Sequence, residues 1–335
     1  MPPVRRLPSH PRSSAHEVNI WREAFAVQKQ RRHRVKPMLN QIEETESIAR
    51  RLEATGNYRI LRRLIPQQVT PLATGCTGKV GIIVDFETTG LNVDEDEIIE
   101  VAMVKFGYSN NGQITGVTGI FQAFNQPTVT IPAEIVELTR ITDAMVAGHK
   151  IDAAALEGFV ADANVVVAHN AAFDRKFAEA AWPLFEHKNW ACSATGIDWQ
   201  RYGFSGAKLV YLLTQSGLFH DAHRALDDCH ATLEILAHDL PGTSTTALAV
   251  LLDRARRKTF RIWAENAPFE LKDLLKRRRY RWNDGSDGRP RAWHIDVDES
   301  NRDSELDYLR NEIYQRDVEI DCREITALDR FSSRA

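Results

Sequence analysis

The chain has 335 residues, of which 43% are hydrophobic and 27% charged, so it is long enough for one large core with a smaller unit attached. No run approaches the roughly 18 consecutive apolar residues of a membrane span, which predicts that the chain does not cross a membrane. The four cysteines are scattered and form no C-x-x-C pair, which disfavours a disulfide framework or a zinc site and indicates a cytoplasmic protein.

The net charge of −3 conceals a strong asymmetry along the chain. Residues 1–79 carry 15 Lys/Arg against 6 Asp/Glu, residues 80–250 carry 9 against 22, and residues 254–291 carry 13 against 5. An acidic centre between basic flanks is suited to metal chemistry on a polyanion. Solvated helix faces explain the same charges, so charge alone leaves both interpretations open.

The N-terminal segments are predicted to lie outside the main domain. Residues 1–18 are rich in Pro, Arg and Ser and lack the apolar core of a secretory signal, which predicts a disordered basic arm. Apolar residues recur at helical spacing over 19–65, which predicts a helical extension. Residues 66–79 contain two prolines and two glycines and are predicted to be a linker.

Residues 80–240 are predicted to form one α/β domain, and 241–335 a small α+β C-terminal module. Strands are predicted at 80–84 and 98–106, in a third strand that ends with 119–124, and at 164–168. Helices are predicted at 132–138, 153–160, 171–180, 206–216 and 224–239. Hairpin strands followed by helices and a returning strand favour a mixed sheet flanked by helices. In the C-terminal module, a helix is predicted at 245–257, paired strands at 280–282 and 291–297, and a last helix at 303–316.

The sharpest chemical feature is a pair of carboxylates at the end of the first strand. Asp85 and Glu87 follow the apolar run 80–84, and side chains two residues apart on a strand face the same way. Two such carboxylates repel each other unless a cation lies between them. Their hard oxygen ligands favour magnesium or manganese.

Two further acids and a histidine lie at the ends of other predicted elements. Asp174 falls in the first turn of the helix that follows the strand at 164–168, and Asp228 lies in a helix entered five residues earlier at His223. Asp227 is the rival of Asp228, and Glu100 is a fifth acid on the neighbouring strand. Structural coincidence accounts poorly for this many polar groups at element ends.

The segments VDFETTG (84–90), HNAAFD (169–174) and HRALDD (223–228) resemble, in order, the three motifs of the DEDDh (DnaQ-like) 3′–5′ exonucleases. The match covers about residues 80–240, and the chain resembles the epsilon (proofreading) subunit type with an extra C-terminal module. The resemblance implies a ribonuclease H-like mixed five-stranded sheet flanked by helices. The H-x-A-x-x-D spacing of the third motif selects Asp228 over Asp227.

The resemblance also implies the cofactor and the catalytic groups. In the family four acids hold two divalent cations, Mg²⁺ with Mn²⁺ as a substitute, and the matching residues are Asp85, Glu87, Asp174 and Asp228. His223 matches the general base that takes a proton from the attacking water.

The resemblance further implies how the substrate is held. The positions that match the family's substrate contacts are Thr88, Gly90, Leu91, His169, Asn170 and Phe173. For Leu91 and Phe173, ordinary core packing is the competing interpretation.

The expected activity is metal-dependent release of nucleoside 5′-monophosphates from single-stranded or frayed 3′ ends, with DNA favoured. RNA, as in RNase T-like trimming, is the first alternative, and a catalytically idle nucleic-acid-binding or scaffold protein is the second. A DNA polymerase acting in trans is a candidate partner, and nucleoid association is expected if the source is bacterial. No membrane partner is expected, and the sequence carries no assembly signal. The arginine run 276–281 with its tryptophans is open to two interpretations, phosphate contact and the module's own core.

Overall fold

The structure is a computed structural model, and it describes residues 43–70 and 78–335. The chain divides into two units, 1–61 and 62–335. In the first unit, residues 43–53 form helix α1. The predicted disordered arm, the first part of the helical extension and much of the linker lie outside the described residues.

The second unit contains all remaining elements. Its strands are β1 (Arg62–Arg63), β2 (Lys79–Thr88), β3 (Ile98–Tyr108), β4 (Ile114–Phe124), β5 (Val165–Ala168), β6 (Trp190–Cys192), β7 (Leu218–Phe219), β8 (Thr259–Ala264), β9 (Arg281–Trp282), β10 (Trp293–Asp298) and β11 (Cys322–Ile325). Its α-helices are α2 (Ala133–Thr139), α3 (Asp143–Val146), α4 (Ala153–Val160), α5 (Ala171–Ala181), α6 (Leu209–Gln215), α7 (Ala225–Ala237), α8 (Ala247–Arg256), α9 (Lys272–Arg277) and α10 (Arg302–Tyr308).

The larger sheet has five strands in the order β4-β3-β2-β5-β6. Strands β2, β3 and β4 pair antiparallel, while β5 runs parallel to β2 and β6 parallel to β5. This is the predicted mixed five-stranded α/β sheet. The sequence locates four of its strands, and it misses β6 because three residues are too few to show a period.

The central strands are buried on both faces, because helices cover both sides of the sheet. On one face Ile83, Val104 and Phe106 pack with α7 and α8. On the other face Ile82 and Val84 pack with α4 and α5. Helix α8 therefore belongs to the core of this sheet, although the predicted boundary at 241 assigns it to the C-terminal module.

The C-terminal module is built on a four-stranded antiparallel sheet in the order β11-β8-β10-β9. The predicted pairing of the strands around 281 and 293 is confirmed, with Trp282 opposite Trp293. One face of the sheet packs against α9, α10 and a π-helical turn at Leu309–Tyr314. The predicted helix at 303–316 is thus α10 continued by that turn, while β8 and β11 were missed.

The last ten residues return to the larger domain and contact α5. The fully buried side chain of Arg175 donates hydrogen bonds to the carbonyls of Ala327, Leu328 and Arg330. Its Nε donates to Glu179, which also accepts two hydrogen bonds from Arg334. The C-terminal tail therefore holds the helix that carries Asp174.

Over residues 43–70 and 78–335, none of the helices has both the length and the apolar character needed to cross a bilayer.

Candidate active site

The end of β2 presents the two carboxylates that the sequence predicted. Asp85 and Glu87 alternate with buried residues along the strand and are themselves only partly buried. Phe86 points to the opposite side, where it is 4% exposed and stacks on Trp182 with ring centroids 6.1 Å apart. The alternation of the strand therefore puts both acids on one side and a core residue on the other.

Helix α7 brings Asp228 to the same place. One carboxylate oxygen from each of Asp85, Glu87 and Asp228 lies within 4.8 Å of the others, although 141 residues separate the last two along the chain. Asp228, and not its neighbour Asp227, joins this group. We call these three residues the acidic cluster.

Asp174 lies beside the acidic cluster in the first turn of α5 and is 2% exposed. The backbone of Phe86 partly offsets the rise in the pKa of this carboxyl group, which places it against β2. Its charge raises the pKa of both Asp85 and Glu87. The four predicted metal ligands are thus brought together from β2, α5 and α7.

Burial and mutual repulsion both act on these acids. Burial, followed by the charges of Asp228, Glu100 and Asp174, raises the pKa of Glu87 to about 8. Burial raises the pKa of Asp174 to about 8, and the pKa of Asp85 is raised well above its ordinary value by burial and then by its acidic neighbours. A site that is unfavourable for bare carboxylates in this way is suited to a divalent cation, which offsets the repulsion.

Glu100 is an acid that the sequence placed only at the margin of the site. It is fully buried on β3, directly opposite Glu87. Its carboxylate accepts hydrogen bonds from Gln122, from the Arg224 guanidinium and from the backbone N–H of Ala225. Glu100 therefore fixes the first turn of α7, three residues before Asp228. The signal in the sequence was a lone acid within an otherwise apolar strand.

Two histidines approach Asp228 in different ways. His223, the predicted general base, is exposed, has a positive φ of 65°, and donates its backbone N–H to Asp228 Oδ2 at 2.8 Å. His220 lies 2.7 Å from Asp228 Oδ1 through its Nε2 atom, and its side chain is only 5% exposed. The sequence singled out His223 alone, because His220 falls outside the motif.

The residues after β2 form a turn that leaves one large apolar side chain in solvent. Leu91 is 85% exposed, which rules out the competing interpretation that it is core. At Gly90 a Cβ atom would lie 2.4 Å from the Asp96 carboxylate, so the turn requires glycine. Thr88 is buried and donates its hydroxyl to the Gly90 carbonyl.

The segment before α5 is less available for a substrate than the motif suggests. Nε2 of His169 lies 2.8 Å from the Ala207 carbonyl, and Nδ1 lies 2.9 Å from the Ser193 hydroxyl. Both ring nitrogens are therefore engaged within the protein, and burial lowers the pKa of this histidine. Asn170 is exposed, and Phe173 packs on Phe177 with ring centroids 4.9 Å apart.

The arginine run 276–281 and its tryptophans were open to two interpretations, phosphate contact and the module's own core, and the structure gives residues of both kinds. Arg278 is used internally, since it binds Glu305 through two hydrogen bonds. Trp293 packs into the core of the module, whereas Trp282 remains 50% exposed on β9.

Comparisons with known proteins agree with this geometry. Residues 82–236 match the family model described as Exonuclease, a segment that contains all four acids and His223. The chain is 30% identical over 164 residues to the DNA polymerase III subunit epsilon of Treponema pallidum, a match that covers 45% of this chain and 72% of the relative. The chain belongs to the DnaQ-like exonuclease family.

Other relatives match a similar share of this chain. It is 35% identical over 161 residues to the PolC-type DNA polymerase III of Clostridium perfringens, covering 46% of this chain and 11% of the relative. The chain thus spans about a tenth of the PolC-type polymerases that it matches.

Solved structures of exonucleases match at lower identity. Exonuclease X in complex with 5′ overhanging duplex DNA is 24% identical, with a TM-score of 0.35, over 52% of this chain and 90% of that chain. E. coli Exonuclease I in complex with a dA16 oligonucleotide is 16% identical, with a TM-score of 0.41, over 55% and 48%.

Proposed function

We propose that this protein is a divalent-cation-dependent 3′–5′ exonuclease that hydrolyses phosphodiester bonds at the 3′ ends of DNA and releases nucleoside 5′-monophosphates. The observation that carries the proposal is the convergence of Asp85, Glu87 and Asp228 within 4.8 Å, with buried Asp174 beside them. Acids this close raise one another's pKa, and when all of them are ionised their mutual repulsion opposes folding.

The donor set fits two divalent cations of the Mg²⁺ or Mn²⁺ type. The ligands are carboxylate oxygens throughout, and Asp85, Glu87, Asp174 and Asp228 would hold the ions. When bound, such ions supply Lewis-acid stabilisation of the charge that develops on a phosphodiester. The chain itself contributes the arrangement of the four carboxylates on one strand and two helices. Because these elements already hold the carboxylates together, the side chains need little rearrangement when the cations bind.

His223 is proposed as the general base that accepts the proton of the attacking water. Its exposed position beside Asp228 leaves its imidazole free of protein hydrogen bonds among the described residues, as a proton acceptor requires. His220 has a different role in this proposal, since its ring orients the Asp228 carboxylate through a 2.7 Å contact.

The substrate contacts proposed around this site are Thr88, Gly90, Leu91, His169, Asn170 and Phe173. Leu91 is the best placed of them, because an apolar side chain exposed next to the acidic cluster is available to pack against a nucleobase. His169 is proposed to act by bracing the start of α5, since its ring nitrogens bind Ser193 and Ala207.

DNA is proposed as the substrate over RNA because the relatives in two groups are DNA polymerase III proteins. By the same argument, proofreading or repair beside a DNA polymerase bound in trans is the proposed setting. An idle scaffold is disfavoured because an inactive copy would have no reason to retain four mutually repelling acids.

The test is digestion of 5′-labelled single-stranded DNA and RNA of one sequence with Mg²⁺, Mn²⁺ or EDTA. We expect a metal-dependent ladder that shortens from the 3′ end, faster on DNA, with nucleoside 5′-monophosphates as products. Asp228→Asn should abolish the ladder, while Asp227→Asn, the matched change one residue away, should leave it.

A ladder that survives in Asp228→Asn would refute the assignment of the site. If RNA is degraded faster than DNA, RNA is the substrate instead of DNA. For the base, His223→Ala should lower kcat by about 10²–10⁴-fold. An unchanged kcat in that variant would reassign the base.

A further inference from the structure

The face of the C-terminal sheet that α9 and α10 leave uncovered collects arginines from distant parts of the sequence. Arg323 on β11 lies directly opposite Arg261 on β8, and Arg261 lies opposite Asp296 on β10. Arg281 on β9 lies opposite His294, two residues before Asp296. Because side chains alternate along a strand, all of these residues share one face.

A fourth arginine reaches this face from the loop between β9 and β10. Arg289 acts electrostatically on Arg261, Arg323 and His294, which places its guanidinium among them. We call Arg261, Arg281, Arg289 and Arg323 the arginine face. They come from four separate segments, so no run of basic letters in the sequence reveals them.

The carboxylates near the arginine face do not balance its charge. Asp296 is bound by Arg261 through two hydrogen bonds of 2.7 and 2.9 Å and lies 3.5 Å from Arg281. Among the described residues, Arg323 has no carboxylate within ion-pair distance. Arg289 pairs with Asp287 at 3.6 Å, on the loop itself.

Two buried polar atoms on this face also lack partners. Nη1 of Arg261 and Nδ1 of His294 are enclosed without a hydrogen bond in the described residues. Burial and then the charges of Arg261, Arg281 and Arg289 lower the pKa of His294 to about 4. The local field therefore favours an anion and opposes any further positive charge.

The arginine face also borders the catalytic domain. Arg289 donates a 2.7 Å hydrogen bond to the carbonyl of Ser333, next to Arg334, which binds Glu179 of α5. At the other end of the sheet, Asp298 pairs with Arg254 of α8 at 2.6 Å. The face is thus held in a fixed position against the helix that carries Asp174.

We propose that the arginine face binds the phosphate backbone of a nucleic-acid strand whose 3′ end enters the acidic cluster. The occupant follows from charge and geometry. Guanidiniums spread over three strands and a loop suit a series of phosphates better than one small anion, and Arg binds phosphate through paired N–H donors. The strongly acidic catalytic domain repels the same strand, so a cationic surface outside it is required. The inference rests on the proposed function for its choice of partner.

The test measures how binding of a labelled 30-nucleotide single-stranded DNA depends on salt. The variant is Arg281→Ser/Arg323→Ser in the full chain, assayed by fluorescence anisotropy in EDTA so that the strand stays intact. Both side chains are exposed, and Asp296 keeps Arg261 as its partner, so the fold should be preserved. The matched control is Arg201→Ser/Arg316→Ser, which removes the same charge from exposed positions outside both the arginine face and the arginine run 276–281.

For single strands, each phosphate contact contributes about 0.7 to the slope of log affinity against log salt. Losing two contacts should lower the slope by about 1.4. If the two proteins bind equally at 1 M salt, the variant should then bind roughly 25-fold more weakly than the unmodified protein at 0.1 M salt. The control should keep the slope of the unmodified protein within about 0.3.

Equal weakening in the control would show a general charge effect and overturn the inference, as would an unchanged slope in the arginine-face variant. Failure of the proposed function is a separate result. A protein that binds the 30-mer through the arginine face but yields no ladder with Mg²⁺ would sink the exonuclease proposal and leave the binding surface standing.

Discussion

Removal of divalent cations should make the stability of this protein fall as the pH rises. The folded protein holds the pKa of Glu87 at about 8, against an ordinary value of 4.5, and the pKa of Asp174 at about 8, against 3.8. A carboxyl group with a raised folded pKa binds its proton more tightly in the folded state. Its stabilising effect is therefore complete below the unfolded pKa and is lost as the pH rises towards the folded pKa.

The size of the effect follows from the shift of one group. Between pH 4.5 and pH 7 the unfolded chain has released the Glu87 proton and the folded protein has kept it. At 1.36 kcal/mol per pH unit this costs about 3 kcal/mol of unfolding free energy. Asp174 shares the same neighbours, so the two contributions overlap and we expect a total of about 3–6 kcal/mol.

The assay is urea denaturation in EDTA at pH 5, 6, 7 and 8, repeated with Mg²⁺. Mg²⁺ at about 100 times its Kd should restore about 2.7 kcal/mol at the upper end of the range. Glu87→Gln should reduce the slope in EDTA and raise stability at pH 8, while Glu137→Gln, an exposed acid on α2, should do neither. A free energy of unfolding that stays level or rises from pH 5 to pH 8 in EDTA would refute the reasoning.

Three further changes test how the site is supported. Arg175→Met should cost about 3–5 kcal/mol, because three carbonyls of the C-terminal tail lose a buried guanidinium, whereas the exposed neighbour Lys176→Met should change stability by less than about 0.5 kcal/mol in the same urea titration. Gly90→Ala should cost about 1–2 kcal/mol, since its Cβ would meet the hydrogen-bonded carboxylate of Asp96; an unchanged Tm would contradict this. Leu91→Ala should change stability by less than about 0.5 kcal/mol but lower kcat/KM several-fold. An unaltered kcat/KM would contradict the proposed packing of Leu91 against a nucleobase.

The positions of the sheet and of the four acids were open to prediction because their causes are local. An apolar run of five residues identifies β2, and strand alternation then fixes Asp85 and Glu87 on one side whatever the rest of the chain does. Likewise, the spacing of the third motif selected Asp228 over Asp227, and the geometry agrees. The mixed sheet flanked by helices followed from the order of the elements, and its five strands from the resemblance to the DnaQ-like exonucleases.

What the sequence left undecided depends on contacts between distant segments. His220 and Glu100 act on α7 through side chains that no motif connects, and the binding of Arg175 to residues 327–330 joins segments about 150 residues apart. The arginine face is a further case, because sheet register brings residues 261, 281 and 323 together and the fold of the β9–β10 loop adds residue 289. Local patterns determine which side chains leave an element on which side, but only tertiary packing determines which elements meet.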